Sequence, residues 1–138
     1  SKVPPGSSVR SSTGYPRIWA RNLLQVKICV SSSEIVVASE VRWARSALGR
    51  ARGLMGQSAM PPGTAMVFEP ARQIHTFGMK FPLDVVFCDR TWKVLHVVRS
   101  MAPARMTRVV WRARYVLELR GDSLPAGVDV GQSLVMMP

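Results

Sequence analysis

Apolar residues alternate with polar or smaller ones from Leu23 to Val30. Leu24, Val26, Ile28 and Val30 fall on one side, the period-2 spacing of a half-buried strand. Ser31-Ser32-Ser33 is a turn, and Glu34 to Ala38 reads as the returning strand of a hairpin. The period then changes. Val41, Ala44, Leu48, Ala51 and Met55 recur at helical spacing, Ser39 suits an N-cap, and Glu40 suits the positive helix end. Arg50 and Arg52 suit the negative end, and Gly53 or Gly56 can close it, so the spacing predicts one helix from Val41 to Met55. Pro61-Pro62-Gly63 is a hard stop. Short strand candidates follow at Ala65 to Phe68, Gln73 to Phe77, Asp84 to Cys88, Trp92 to Val98, Arg114 to Leu119 and Ser133 to Met137. Turn chemistry separates them at Glu69-Pro70, Phe81-Pro82, Asp89 to Thr91, Ala102-Pro103, Gly121-Asp122 and Pro125 to Gly127. Many short strands with a single helix predict a mainly β domain, an antiparallel β-sandwich or barrel-like fold with one short α-helix.

The first 16 residues break this pattern: they are rich in Ser, Pro and Gly and cannot bury a core, so they read as a flexible basic arm. Residues 17–138 then form a single β-rich domain, because 138 residues leave no room for two domains. The 47% hydrophobic content suffices for an ordinary core. Cys29 and Cys88 lie far apart in apolar surroundings and read as two small buried hydrophobes, the alternatives being a strand-to-strand disulfide or one reactive thiol. No apolar run approaches the roughly 18 residues that span a bilayer. The compartment expected is the cytoplasm, with an exported origin and a removed signal left open.

Several segments occur in a characteristic order. They are Arg52-Gly-Leu-Met55, Pro62-Gly63 with Met66-Val-Phe68, Met79 with Pro82-Leu-Asp-Val-Val-Phe87, Pro103, and Ala113-Arg-Tyr-Val-Leu-Glu-Leu119 with Gly121. The series resembles the bacterial and archaeal family called domain of unknown function 192, also called uncharacterised protein family 0127, from about Leu23 to Val135. The chain departs from the family pattern at Phe77-Gly-Met-Lys-Phe81, where a Trp-Met-Lys-Asn-Thr run is common. It departs again at Trp92, where Gly is common, and at Gly131-Gln132 in place of Gly-Asp. The resemblance implies a compact β-sandwich or barrel-like domain with one helix. It implies no established activity, and the family includes exported and cytoplasmic proteins.

Charge adds a second class of partner. Nineteen Lys plus Arg against eight Asp plus Glu leave +11, a field that attracts nucleic acid, anionic lipid or an acidic protein. The cations are spread along the chain, as a solvated surface would have them. They are densest at Arg99, Arg105, Arg108, Arg112, Arg114 and Arg120. If Arg108, Arg112 and Arg114 share a face, they make a phosphate-sized patch of planar donors.

The chemistry-bearing residues are few. His75 and His96 have no Cys, Asp or Glu at metal-ligand spacing, so the sequence calls for no metal and no cofactor. Asp84 sits in the apolar run Pro82 to Phe87, where a lone carboxylate is costly to bury and needs Lys80, an Arg such as Arg52, or backbone amides. It reads as a buried ion pair or turn-capping carboxylate, or alternatively as an acid or base lining a pocket with His75 and Lys80. Glu118 shares a strand face with Val116 and Arg120. It reads as an exposed edge carboxylate, or else as a partner for Arg52 or Arg114. Cys88 lies on the Asp84 face about 13 Å away, too far for direct contact. Met55, Met60, Met66 and Met79 read first as core packing and second as an adaptable apolar groove; Trp43 and Trp111 are read in the same way.

The leading expectation is therefore a monomeric, non-enzymatic binding or accessory module. It would hold a protein segment or small-molecule ligand in a groove near Arg52, His75, Met79, Lys80 and Asp84. The first alternative is polyanion (nucleic-acid) binding through Arg108, Arg112 and Arg114. The second is a hydrolase or metalloenzyme centred on His75.

Overall fold

The computed structural model of the protein describes residues 23–24, 26–44 and 60–138. Nine strands follow one another: β1 Leu23–Leu24, β2 Lys27–Val30, β3 Val36–Ala38, β4 Glu40–Ala44, β5 Thr64–Phe68, β6 Leu83–Cys88, β7 Val94–Met101, β8 Tyr115–Arg120 and β9 Leu134–Met137. They form a six-stranded sheet in the order β1-β4-β5-β8-β6-β7 and a three-stranded sheet in the order β3-β2-β9. The large sheet is mixed: β4 and β5 run parallel, with Glu40 opposite Thr64 and Ala44 opposite Phe68. Parallel neighbours need a long crossover, which the run 45–63 supplies. The other pairs are antiparallel, including β8 against both β5 and β6. The two open sheets make a mainly β, sandwich-like fold.

The small sheet covers one face of the large one. Ile28, Val30, Val37 and Ala38 meet Val41, Val67, Val86, Leu117 and Leu119 there in one apolar cluster. Burying each such side chain stabilises the fold by roughly 1.5–3 kcal/mol. The other face carries Met66, Phe68, Val85, Phe87 and Val116, and among the described residues no second sheet covers it. Ile74, Val110 and Ala113, from the loops at 69–82 and 102–114, close over it with Met60 and Met101.

The predicted strands from Ala65 onward appear as β5 to β9, with one exception: Gln73 to Phe77 keeps only a single bridge, His75 to Met106. The hairpin of β2 and β3 is present, with Ile28 opposite Ala38. The expected strand from Leu23 to Val30 is divided. Its first part, β1, pairs with β4 in the large sheet, and its second, β2, pairs with β3 and β9 in the small one. The chain therefore changes sheet just before β2. The predicted helix does not begin at Val41, because Glu40 to Ala44 is β4. Strand neighbours on both sides outweigh the three-residue spacing of Val41 and Ala44, which a β-branched residue and Trp43 satisfy equally well in a strand. Ser39 caps no helix at that point: its hydroxyl donates to the Gly63 carbonyl at 3.3 Å. The rest of the predicted helix, with Arg52 and Met55, lies outside the described residues, as does the arm over 1–16.

Trp92 occupies the turn before β7 with φ +67°. A side chain in this left-handed region costs about 1–2 kcal/mol. Packing offsets the cost. The Trp92 indole stacks on Tyr115 with centroids 3.9 Å apart and planes 10° apart, and meets Trp43 edge-on at 6.0 Å. Trp92→Gly is expected to destabilise the domain by about 1–3 kcal/mol, because the stack is lost while the strain is relieved. Trp92→Ala is expected to cost about 1 kcal/mol more than Trp92→Gly, because it loses the stack and keeps the strain. Urea denaturation of both variants checks the order; Ala at or above Gly in stability would show that no strain resides at this turn.

Candidate ligand-binding face

Strand alternation turns Leu83, Val85 and Phe87 toward the loop-covered core and Asp84, Val86 and Cys88 toward the inter-sheet core. Asp84 is 1% exposed. The Ser100 amide donates to its Oδ1 at 2.7 Å and the Leu124 amide to its Oδ2 at 2.9 Å. Ser100 has φ +50°, the conformation in which its N–H meets the carboxylate. Arg99 treats the same loop with the opposite polarity. Its guanidinium donates to the carbonyls of Leu124 at 2.9 Å, Pro125 at 3.0 Å and Val128 at 2.8 Å. Backbone amides thus satisfy Asp84, as a turn-capping carboxylate. Lys80, which is exposed, is not its partner. Asp84 lies across the sheet from Met79, which packs into the loop-covered core. Arg99, read in the sequence as part of a cationic stretch, is a structural clamp.

The loops over the second face form a built surface. A buried loop must pair its backbone groups. Here the Thr76 amide donates to the Arg105 carbonyl at 2.8 Å, Thr107 to Ile74 at 2.9 Å and Val110 to Arg72 at 2.7 Å. Buried hydroxyls complete the pairing: Thr76 Oγ1 donates to the Ala102 carbonyl at 2.7 Å, and Thr107 Oγ1 accepts from the Ile74 amide at 3.0 Å. The bonds on either side of His75 and Met106 make them a non-hydrogen-bonded antiparallel pair, whose Cα atoms approach to about 4.5 Å with side chains on one face. Ile74 and Thr76 point inward and are buried. His75 and Phe77 point outward and stack at 5.4 Å with 26° between planes. Phe77 is 46% exposed, Met106 57%, and Trp111, in the turn after Val110, 74%. His75 and Lys80 are thus exposed on the same loop, while Met79 supports it from beneath; Arg52 lies outside the described residues.

Trp111 corrects its reading as core: it is exposed, while Trp43 packs against the inter-sheet cluster. The sequence signal was its position between Val110 and Arg112 in a run without strand alternation. Met60, Met66 and Met79 are core packing, as first read, and Met55 falls outside the described residues. Arg108 and Arg112 are exposed. Arg108 lies near enough to His96 that its charge, after partial burial, holds the imidazole below its usual pKa. Arg114 is engaged with Glu69 at 3.3 Å, so it does not stand free beside the other two.

Two buried titratable groups bear on catalysis. Burial, with Asp89 nearby, pushes the Cys88 thiol up to about 12, which removes the thiolate a nucleophile needs. Cys29 and Cys88 are buried and unpaired with one another. Glu118 is 4% exposed in the middle of the large sheet, between Met66 and Val85. The edge reading is therefore corrected, since β8 has a strand on each side, and so is the pairing with Arg114. Desolvation raises its carboxyl to about 8. Among the described residues, no three His, Cys, Asp or Glu side chains gather as a metal site would require.

Comparison with known proteins places the fold. The model of family DUF192, described as an uncharacterized ACR, matches residues 28–136. A protein of unknown function from Novosphingobium aromaticivorans superposes with TM-score 0.69 at 20% identity, over 92% of this chain and 90% of that one. A protein from Sinorhizobium meliloti 1021, provisionally described as a transcription regulator, gives TM-score 0.67 at 23% identity, over 80% of this chain and 91% of that one. No curated protein matches. Among the described residues, no helix is long and apolar enough to cross a membrane.

The buried acids give opposite expectations. Asp84→Ala strips two amides of their acceptor and is expected to cost about 3–5 kcal/mol, with Asp84→Asn intermediate, in chemical denaturation; an unchanged midpoint would remove Asp84 from its structural role. For Glu118, the unfolded chain loses its proton near the ordinary 4.5 and the folded chain near 8. Stability therefore falls as pH rises through that window, by up to about 1.4 kcal/mol per pH unit, and levels off above it. Glu118→Gln is expected to flatten this decline and to be most stabilising at the alkaline end. Melting curves of both proteins from about pH 3.5 to about pH 9, about one unit beyond the window at each end, check it.

Proposed function

For a chain that belongs to the uncharacterised family DUF192, matched over residues 28–136, we propose a non-enzymatic binding or accessory module. Its ligand seat is the outward face of the paired loops. One observation carries the reading: Phe77 and Met106, large apolar side chains, are held outward with His75 on a hydrogen-bonded pair of loops packed on the core beneath them. Exposed apolar groups on a fixed scaffold mark binding sites, and loops carry function for this reason. The residues that could serve catalysis point the other way. Asp84 is occupied by two amides, Cys88 is buried with its thiol pushed up to about 12, and His75 lies stacked on Phe77 at the surface. Lys80 borders the seat on the same loop. The groove foreseen around Asp84 thus moves to the other side of the sheet, keeping His75, Met79 and Lys80.

Nuclear magnetic resonance titration with indole and with short aromatic peptides tests the seat. Shifts are expected at the amides of residues 73–80 and 104–112 and are expected to shrink in Phe77→Ser and Met106→Ser, with melting temperatures unchanged. Shifts confined to other parts of the domain would overturn the assignment.

A further inference from the structure

The two loops that make the seat carry Arg72, Lys80, Arg105, Arg108, Arg112 and Arg114 and no Asp or Glu within 70–82 or 102–114. Glu69, just outside, engages Arg114 at 3.3 Å. Arg72, Arg105, Arg108 and Arg112 are exposed and take no carboxylate partner among the described residues. Partial burial, and after it the charge of Arg108, hold the His96 imidazole below its usual pKa. Planar forks of donors match phosphate oxygens.

Charge alone would fit any polyanion. The rings narrow the choice. Phe77 has one face against His75, at 26° and 5.4 Å, and is 46% exposed; Trp111 is 74% exposed in the turn beyond Val110. Flat aromatic surface carried on the same loops as guanidinium groups is what unpaired bases use: each base stacked on an aromatic side chain contributes about 1–3 kcal/mol. A duplex keeps its bases inside and offers only the phosphate term. An acidic peptide offers charge without a series of flat rings.

We infer that this face binds single-stranded nucleic acid, with phosphates on Arg105, Arg108 and Arg112 and bases on Phe77 and Trp111. The inference rests on the preceding reading of the loops as the ligand seat and names the chemical class of its ligand.

Fluorescence anisotropy of labelled oligothymidylate, the matching duplex, heparin and polyglutamate, at low and near-physiological salt, tests it. The single strand is expected to bind more tightly than the duplex and polyglutamate, with a log–log salt slope of about 0.7 per phosphate neutralised. Phe77→Ala and Trp111→Ala are each expected to weaken single-strand binding at least about five-fold while leaving the salt slope and heparin binding unchanged. Arg105→Gln, Arg108→Gln and Arg112→Gln are expected to lower the slope. All five positions are exposed, and unchanged melting curves verify the fold. Equal affinity for all four probes, indifference to the ring variants, preference for polyglutamate, or no binding at low salt would each overturn the inference. In any of these cases, indole or peptide shifts at residues 73–80 and 104–112 would leave the seat standing and remove only its nucleic-acid ligand; loss of those shifts as well would remove both.

Discussion

The carboxylate of Asp84 is the point at which the separate parts of the chain meet. It lies at the start of a central strand, and it takes one amide from the end of β7 and one from the loop that leaves β8. A buried charge of this kind is tolerable only when its oxygens are fully used, and charge-assisted bonds are about twice as strong as neutral ones. The loop beyond β8 is then held by both signs of charge. Asp84 collects its N–H while Arg99 collects three of its carbonyls. A close contact reinforces it, since a Cβ on Gly121 would come within 2.9 Å of Pro82. This loop leads to β9, which pairs with β2 in the small sheet. The position of the small sheet over the large one therefore depends on a carboxylate that belongs to the large one.

The two faces of the large sheet are closed by different means. On one, a second sheet supplies regular pairing and aliphatic packing. On the other, irregular loops do the same work with Ile74, Val110 and Ala113 for packing and Thr76 and Thr107 for their backbone groups. A loop layer leaves side chains that need not serve the core, and here those are aromatic, methionine and arginine. Glu118 lies beneath that layer as a carboxyl kept protonated by burial. The aliphatic, sheet-covered side of the domain and its chemically varied, loop-covered side are thus segregated by a single sheet.

Local pattern made most of the strands legible. Alternation with turn residues at each end suffices for β5 through β9 and for the β2–β3 hairpin, because both signals lie within a few residues. What sequence distance hides was not legible. Asp84 announced that it needed partners, but those partners are 16 and 40 positions further on. The face that Glu118 occupies was correct by alternation, yet its burial follows from strand order, which puts β8 between β5 and β6. Spacing favoured a helix at Val41 to Ala44 until neighbouring strands on both sides decided otherwise. For the proposed ligand face, Arg108, Arg112 and His75 stood out by residue type. Phe77, Met106 and Trp111 did not, because hydrophobic residues are assigned to the core by default.

Trp92 makes one position conditional on another. In the left-handed turn before β7, a glycine is at ease whatever surrounds it, whereas an indole is tolerated only with Tyr115 against its face. The two residues are therefore epistatic, and the order in which they arise matters. A lineage that acquires tryptophan first carries the cost without its compensation. One that already has tyrosine can accept it, and thereafter neither residue reverts alone without loss. The stacked pair is a ratchet, and it accounts for how this chain can hold a bulky residue where glycine is common among the proteins it resembles.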